Sequence, residues 1–385
     1  MAGANTIIDL IERMENPNLV VDQARCVKVR HRNANCSRCM DACPAQCITY
    51  ENNKVLFQGL ECLNCMTCCT VCPTGALSPK VTTDKSVFAA AKIAMTKTPG
   101  QVIFACEQLA AKVQNFIEPG SVVSIKCVSS VDVSMLLYLV KEGAKTVTLV
   151  QGDCENCSMI YCLNTAQEVV DNANTLLEAW NSPGEVEAVQ KLPAAARKKE
   201  DLGYDATRRG FFSDVRIGTR RAATSAGGMV VEDIIGNDEP TVISRLKVTG
   251  NGTLPIYTNP RRERLLAALD SFGTPQDVMI DTGMWKQVII DTDKCKACRF
   301  CTTFCPTGSL FKFDEGSGKI GAIQAVRNCV GCGTCAKLCL NGALTLSDEV
   351  FALDIAEGTE ERYEMTEPKA AKTGSFTTGS LFGSK

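Results

Sequence analysis

The chain has 385 residues, a formal net charge of −2 and 45% hydrophobic residues, enough for two or three domains with real cores and not the composition of a disordered chain. That charge balance gives no overall pull toward nucleic acid or an anionic membrane, and no apolar run approaches the roughly 18–20 residues of a membrane span. Its 23 cysteines form no disulfide framework if the chain stays in the cytoplasm, where thiols are kept reduced, and their tight spacing marks them as ligands.

"MAGANTIIDLIERMENP" opens the chain. Acidic residues interrupt its apolar positions, so it reads as a short helix bearing Ile7, Ile8, Ile11 and Met14, not as a signal peptide. A cytoplasmic location is the expectation.

The first cysteine-dense stretch spans 26–72. Cys62, Cys65, Cys68 and Cys72 have the spacing C-x2-C-x2-C-x3-C, followed by Pro73. Three thiolates at intervals of three wrap one loop around a compact metal–sulfide cube, and the fourth reaches across to a second cube. Upstream, "CSRCMDACP" supplies Cys36, Cys39 and Cys43, but Asn33 stands where the first ligand would be. Cys26 is the simplest replacement. The expected [4Fe–4S] sets are therefore Cys26, Cys36, Cys39 and Cys72 for one, and Cys62, Cys65, Cys68 and Cys43 for the other. A three-iron cluster is the alternative for the first. Cys47 and Cys69 fall out of register and read as small buried hydrophobes.

In the middle, "QVIFAC" (101–106), "SVVSIKC" (121–127) and "TVTLVQGDC" (146–154) are β-rich runs separated by helical patterns, notably 131–144. Alternating strands and helices imply a small parallel-sheet α/β domain. Cys106, Cys127 and Cys154 each fall just past a strand's C-terminal end, the edge where open α/β sheets gather ligands. With Cys157 they could hold a [2Fe–2S] cluster or zinc; separate buried thiols are the plainer alternative. Cys162 reads as packing.

From 181 to 285 there is no cysteine. Residues 191–221 are rich in Lys and Arg, and this basic stretch reads as a solvated or partner-bound arm; "RRGFF" is not an export signal at this position. "PRRERLLAALDSFG" (260–273) reads as a helix with proline at its start and glycine at its end.

The C-terminal pair is complete. Cys295, Cys298, Cys301 and Cys305 are followed by Pro306; Cys329, Cys332, Cys335 and Cys339 repeat the spacing with Leu340 in the proline's place. Crossing over gives Cys295, Cys298, Cys301 and Cys339 for one [4Fe–4S], and Cys329, Cys332, Cys335 and Cys305 for the other. Zinc ribbons would leave the third cysteine of each loop unused. Beyond 357 the Thr-, Gly- and Ser-rich tail reads as flexible or ordered by a partner.

"CPTGAL" (72–77) and "CPTGSL" (305–310) give both ends a resemblance to bacterial two-cluster ferredoxins, over about 70 residues each. "KCVSSVDVSMLLYLVKEGAKTVTLVQGDC" (126–154) resembles the delta-subunit family of methyl-viologen-reducing hydrogenases, which accompanies heterodisulfide reductases and carries a [2Fe–2S] cluster. The resemblances imply α+β ferredoxin-like two-cluster modules at 1–85 and 286–356 around a small α/β parallel-sheet domain at 86–182, with an extended basic linker over 183–285 and a tail over 357–385. They imply four [4Fe–4S] clusters, with a [2Fe–2S] cluster or zinc in the middle.

No G-x-G-x-x-G or P-loop is present, and His31, the one histidine, reads as solvent-facing. An electron-transfer subunit of an anaerobic redox complex is the expectation, its partners a flavoprotein, a molybdenum or tungsten oxidoreductase, a hydrogenase or a heterodisulfide-reductase-like subunit. The alternative is a reductase acting on a thiol, disulfide or other small substrate at the middle cysteines. A redox sensor would need a DNA-binding element, which is missing.

Overall fold

The computed structural model describes residues 19–80, 82–198, 249, 252–316 and 318–366. The helix expected at the N-terminus, most of the basic stretch and the tail after 366 lie outside the described residues.

Four short strands open the described chain: β1 (Leu19–Val21), β2 (Ile48–Glu51), β3 (Lys54–Phe57) and β4 (Leu77–Pro79). β1 pairs antiparallel with β4, and β2 with β3. The β2–β3 turn is Asn52–Asn53, both at positive φ (49° and 60°), the conformation that a two-residue hairpin of matching twist demands and asparagine tolerates. Leu19, Val29, Ile48, Val55 and Leu77 form this unit's core.

The middle follows as helix and strand in alternation: α1 (Asp84–Lys97), β5 (Gln101–Cys106), α2 (Glu107–Val113), β6 (Val123–Ile125), α3 (Val133–Lys141), β7 (Thr146–Val150), α4 (Cys162–Ala179) and β8 (Glu185–Val189). The strands form one parallel sheet in the order β6-β5-β7-β8. Val102, Ile103, Phe104 and Ala105 are all fully buried, as a central strand covered on both faces requires. Asp132 caps α3 by accepting from the Met135 N–H at 3.1 Å, and Leu136, Leu137 and Leu139 vanish into the core.

β8 lies past the boundary expected at 182, inside the stretch read as a linker. "EVEAV" has too little apolar character to announce a strand; its place is fixed by Asn174 on α4, which donates to the Val186 carbonyl at 2.7 Å and accepts from the Val186 N–H at 3.0 Å. A side chain grafted on Gly184 would run into Val140, so only glycine admits the chain to the sheet here.

The helix expected over 260–273 is present as α5 (Pro260–Phe272). Asn259 caps it, accepting from the Arg261 N–H at 3.1 Å, and it packs on α3 by burying Leu265, Ala268 and Leu269. Its first turn then bolts the chain together. Arg261 pairs with Asp84 (3.3 Å) and Asp132 (3.2 Å) and donates to the Cys69 carbonyl at 2.9 Å. Arg264, one turn on, reaches Asp84 at 2.7 Å. Arg262 points the other way, stacked 3.8 Å from the Trp285 ring centroid and donating to the carbonyls of Cys329 (2.5 Å), Arg327 (3.1 Å) and Met284 (3.4 Å).

The C-terminal part comprises β9 (Met279–Asp281), β10 (Gln287–Ile290), β11 (Leu310–Asp314), β12 (Lys319–Ala325), β13 (Leu344–Ser347), β14 (Glu349–Phe351), α6 (Ala352–Glu357) and β15 (Glu360–Thr366). β10 pairs antiparallel with β13, and β11 with β12, repeating the plan of β1–β4: first strand with last, inner two as a hairpin. β14 pairs with β9. β15 pairs with β12 from Glu360↔Ala325 to Thr366↔Lys319. That strand falls in the stretch read as a flexible tail. Its charged positions hid an alternation that puts Tyr363 and Met365 on the module's core, with the Tyr363 hydroxyl donating to the Val288 carbonyl at 2.5 Å.

Two substitutions probe this packing. Gly321→Ala would drive a methyl into the Tyr363 carbonyl and Phe313 ring, and is expected to cost about 1–3 kcal/mol, read as a lower anaerobic melting temperature. Arg262→Met keeps the apolar contact with Trp285 but leaves the Cys329 and Met284 carbonyls without that donor, the Arg327 carbonyl still accepting from the Trp285 indole N–H at 3.3 Å, at about 1–3 kcal/mol for each one left buried and unsatisfied; the expected result is a larger drop in the same measurement.

Candidate metal centres

Three of the four tight cysteine loops share one backbone. The residues flanking the second cysteine are left-handed in each: Asn64 and Met66 (φ 57° and 63°), Ala297 and Arg299 (51° and 64°), and Gly331 and Gly333 (59° and 70°). For the non-glycine residues this conformation costs roughly 1–2 kcal/mol apiece, so it persists where the surroundings impose it. The effect is to curl the loop and turn its thiols inward. The loop through Cys36 and Cys39 lacks the pattern, since Ser37 has φ −127°. That is the loop whose spacing departs from the other three.

In the C-terminal module, Cys295, Cys298, Cys301 and Cys339 line one cavity, closed by Ile320, Ala322 and Met365. Burial pushes the Cys301 thiol up to about 12, with Cys295, Cys298 and Cys339 as its anionic neighbours. Cys332 is likewise pushed up to about 12 by burial and then by Cys305 and Cys329; Cys335 rises with burial and then with Cys332, Cys305 and Cys329. Each fourth cysteine therefore faces the loop of the other motif. The N-terminal module repeats this once. Cys26, Cys36, Cys39 and Cys72 line a cavity with Val27 and Leu77, and burial followed by Cys72, Cys26 and Cys36 pushes Cys39 up to about 12. The modules also match in detail: the Ala76 N–H donates to Cys72 Sγ at 3.3 Å and the Ala343 N–H to Cys339 Sγ at 3.2 Å.

Such sets suit a cationic metal–sulfide body. Buried thiols this crowded resist ionising together until a cation offsets their charge. Among the described residues no three His, Cys, Asp or Glu side chains converge closely enough to hold one metal ion. Thiols spaced about a cavity fit a multi-iron cube better than a single zinc.

The remaining N-terminal set is brought together less completely. Cys43 Sγ lies 3.5 Å from Cys47 Sγ, and Cys62 is also beside Cys47. Cys68 is flanked by Cys69 and, farther off, by Cys65 and Cys39. Cys65 turns toward the middle domain. There Thr67 Oγ1 donates to Cys162 Sγ at 3.1 Å and Cys65 Sγ at 3.4 Å, Ser129 Oγ donates to Cys127 Sγ at 3.2 Å, and the two hydroxyls meet at 2.6 Å. The Cys162 thiol pulls Cys65 and Cys127 down to about 6 against their burial and is itself pushed up. Cys162, read from sequence as packing, is fully buried but also links two cysteine sites. Its position after a helix-starting tyrosine carried no ligand signal.

At the sheet rim, Cys106 ends β5, Cys127 follows β6 and Cys154 follows β7. Burial raises the Cys154 pKa, and Cys106, Cys127 and Cys157 act on it in that order, so the four thiols share one neighbourhood. Cys106 Sγ packs against Gly152, where a β-carbon would press on it. No helix among the described residues is long and apolar enough to cross a membrane.

Cavities walled by cysteines at these spacings define an iron–sulfur protein. Residues 287–340 match the 4Fe-4S dicluster domain, which carries two clusters, and residues 102–201 match the delta subunit of methyl-viologen-reducing hydrogenase. Pyruvate synthase subunit PorD of Methanocaldococcus jannaschii is 35% identical over 66 residues, 17% of this chain and 72% of that subunit. No solved structure matches the chain. The chain belongs to the iron–sulfur electron-transfer proteins related to that hydrogenase subunit and to ferredoxin-like PorD.

Neighbouring cysteines can be told apart by iron. Cys69 is buried and outside the repeated spacing, so Cys69→Ala is expected to retain wild-type iron, whereas Cys68→Ala loses iron; iron and acid-labile sulfide assays on anaerobically purified protein decide it.

Proposed function

We propose that the chain is a multi-cluster electron-transfer subunit that relays single electrons between partners in a redox complex. The observation that carries this reading is the cavity walled by Cys295, Cys298, Cys301 and Cys339, where cysteines from two separate loops meet. In the full assignment, these four hold one [4Fe–4S] cluster and Cys305, Cys329, Cys332 and Cys335 a second. Cys26, Cys36, Cys39 and Cys72 hold a third, supported by their own cavity. Cys43, Cys62, Cys65 and Cys68 hold a fourth, and Cys106, Cys127, Cys154 and Cys157 a [2Fe–2S] cluster or zinc. When bound, such clusters take up and release one electron at a time.

The protein's own contribution is rigidity and field. Left-handed loop residues fix the thiols, N–H groups of Ala76 and Ala343 stabilise thiolate charge, and apolar walls such as Ile320 and Leu77 exclude water. Contacts among Cys65, Thr67, Ser129, Cys127 and Cys162 put the middle domain against the N-terminal module, which supports a continuous route between them. Partners of the hydrogenase or pyruvate synthase kind follow from the relatives.

Iron analysis with electron paramagnetic resonance after reduction tests the whole assignment. About sixteen irons are expected for four cubes, and about eighteen with a [2Fe–2S] centre; zinc in the middle would remove the fifth centre. Cys339→Ala is expected to perturb the signal of the cluster held by Cys295, Cys298 and Cys301, leaving the Cys329-loop signal in place, while Cys305→Ala does the reverse. Turnover of a disulfide by the isolated reduced protein, lost in Cys154→Ala, would replace the relay with a reductase.

A further inference from the structure

The two cysteine-bearing ends of the chain meet at a joint. Arg38, between Cys36 and Cys39, donates from Nη2 to the Gly331 carbonyl, between Cys329 and Cys332, at 2.9 Å. His31 meets Phe304, which precedes Cys305, edge-on with ring centroids 4.6 Å apart. Arg30 enters the same joint and is only 5% exposed. Its Nη1 donates to the Pro255 carbonyl at 2.9 Å and the Ala24 carbonyl at 3.4 Å, and its guanidinium lies 5.6 Å from the Tyr257 ring centroid. Its Nε and Nη2 have no hydrogen-bond partner among the described residues. The ionisable groups acting on it are Tyr257, Cys305 and Cys332.

A buried guanidinium with two open donors is expensive to keep. Each unmet hydrogen bond costs about 1–3 kcal/mol, more for a charged group, and a buried cation needs an anionic partner. The Tyr257 ring lies 5.6 Å from the guanidinium and accepts neither open N–H. The nearest parts of the opposite module at this joint are the cysteine loops, since the neighbouring His31 packs on Phe304 beside Cys305 and Arg38 reaches Gly331 beside Cys332, and Cys305 and Cys332 both act on the Arg30 charge.

We propose that Arg30 is a positioning residue at this joint, its open N–H groups completed by the centre that Cys305, Cys329, Cys332 and Cys335 hold, so that a cation from the N-terminal module raises the reduction potential of a centre in the C-terminal one. The inference rests on the reading that those four cysteines hold a [4Fe–4S] cluster. A fixed positive charge favours the more negative, reduced state, and hydrogen bonds to cluster sulfur act in the same direction. The potential of one module then depends on the seating of the other. No proton moves and no bond is made.

The test is a redox titration followed by electron paramagnetic resonance on the full chain, with iron counted in each sample. In Arg30→Gln one signal is expected to titrate at a more negative potential while the others stay put. Arg30→Lys keeps a charge but not the planar fork, so the same signal is expected to shift by a smaller amount in the same direction. Midpoints identical to wild type in Arg30→Gln overturn the inference. Should that variant lose iron, Arg30→Lys decides alone, and an unmoved midpoint again overturns it. A wild-type protein lacking iron at Cys305, Cys329, Cys332 and Cys335 would instead sink the reading beneath it.

Discussion

Two adjacent arginines on α5 face opposite ways, and the arrangement of the three cysteine-bearing parts depends on them. Arg261 is held among Asp84, Asp132 and the Cys69 carbonyl. Burial alone would lower its pKa, but Asp132 and Asp84 raise it well above the ordinary value, so it stays charged. Arg262 has no carboxylate; burial lowers its pKa, and three carbonyls and the Trp285 face take the place of a counter-ion. A guanidinium can satisfy several acceptors in fixed directions, which a lysine cannot. Because Arg261 ends on the N-terminal cysteine loop and Arg262 on the C-terminal one, a thirteen-residue helix sets both against the parallel sheet.

That fixed placement matters because the thiols are arranged against their own electrostatics. Gathering cysteines in buried cavities raises their pKa values, and the loops that gather them hold residues such as Met66 and Arg299 in a conformation side chains disfavour. Both costs are borne by packing elsewhere, and in the C-terminal dicluster domain they are offset when iron replaces protons. The repeated strand plan at the two ends, first with last and inner two as a hairpin, is the frame that bears them.

Sequence alone carried the C-terminal module well, because its ligand spacing is local: intervals of three residues in one loop fix which thiols can face one body. The strands of the parallel sheet were legible from apolar runs, and Cys106, Cys127 and Cys154 from their positions after them. What stayed hidden depends on tertiary context. β8 and β15 have weak intrinsic preference and become strands through Asn174 and through pairing with β12. Cys65 has regular ligand spacing, yet faces Cys127 and Cys162 as well as its own loop, and no spacing rule encodes a neighbour 62 or 97 residues away. The roles of Arg30, Arg261 and Arg262 are absent from the sequence reading, because nothing in a one-dimensional pattern tells a buried guanidinium from a solvated one.

Cys298 is the one cysteine of the chain that lies exposed, and it borders the cavity it shares with Cys295, Cys301 and Cys339. Water and dissolved oxygen reach that corner before any other cysteine, and oxidised thiolate no longer binds iron. Air is therefore expected to attack the cysteines from that corner inward, before it reaches buried thiols such as Cys127 and Cys162.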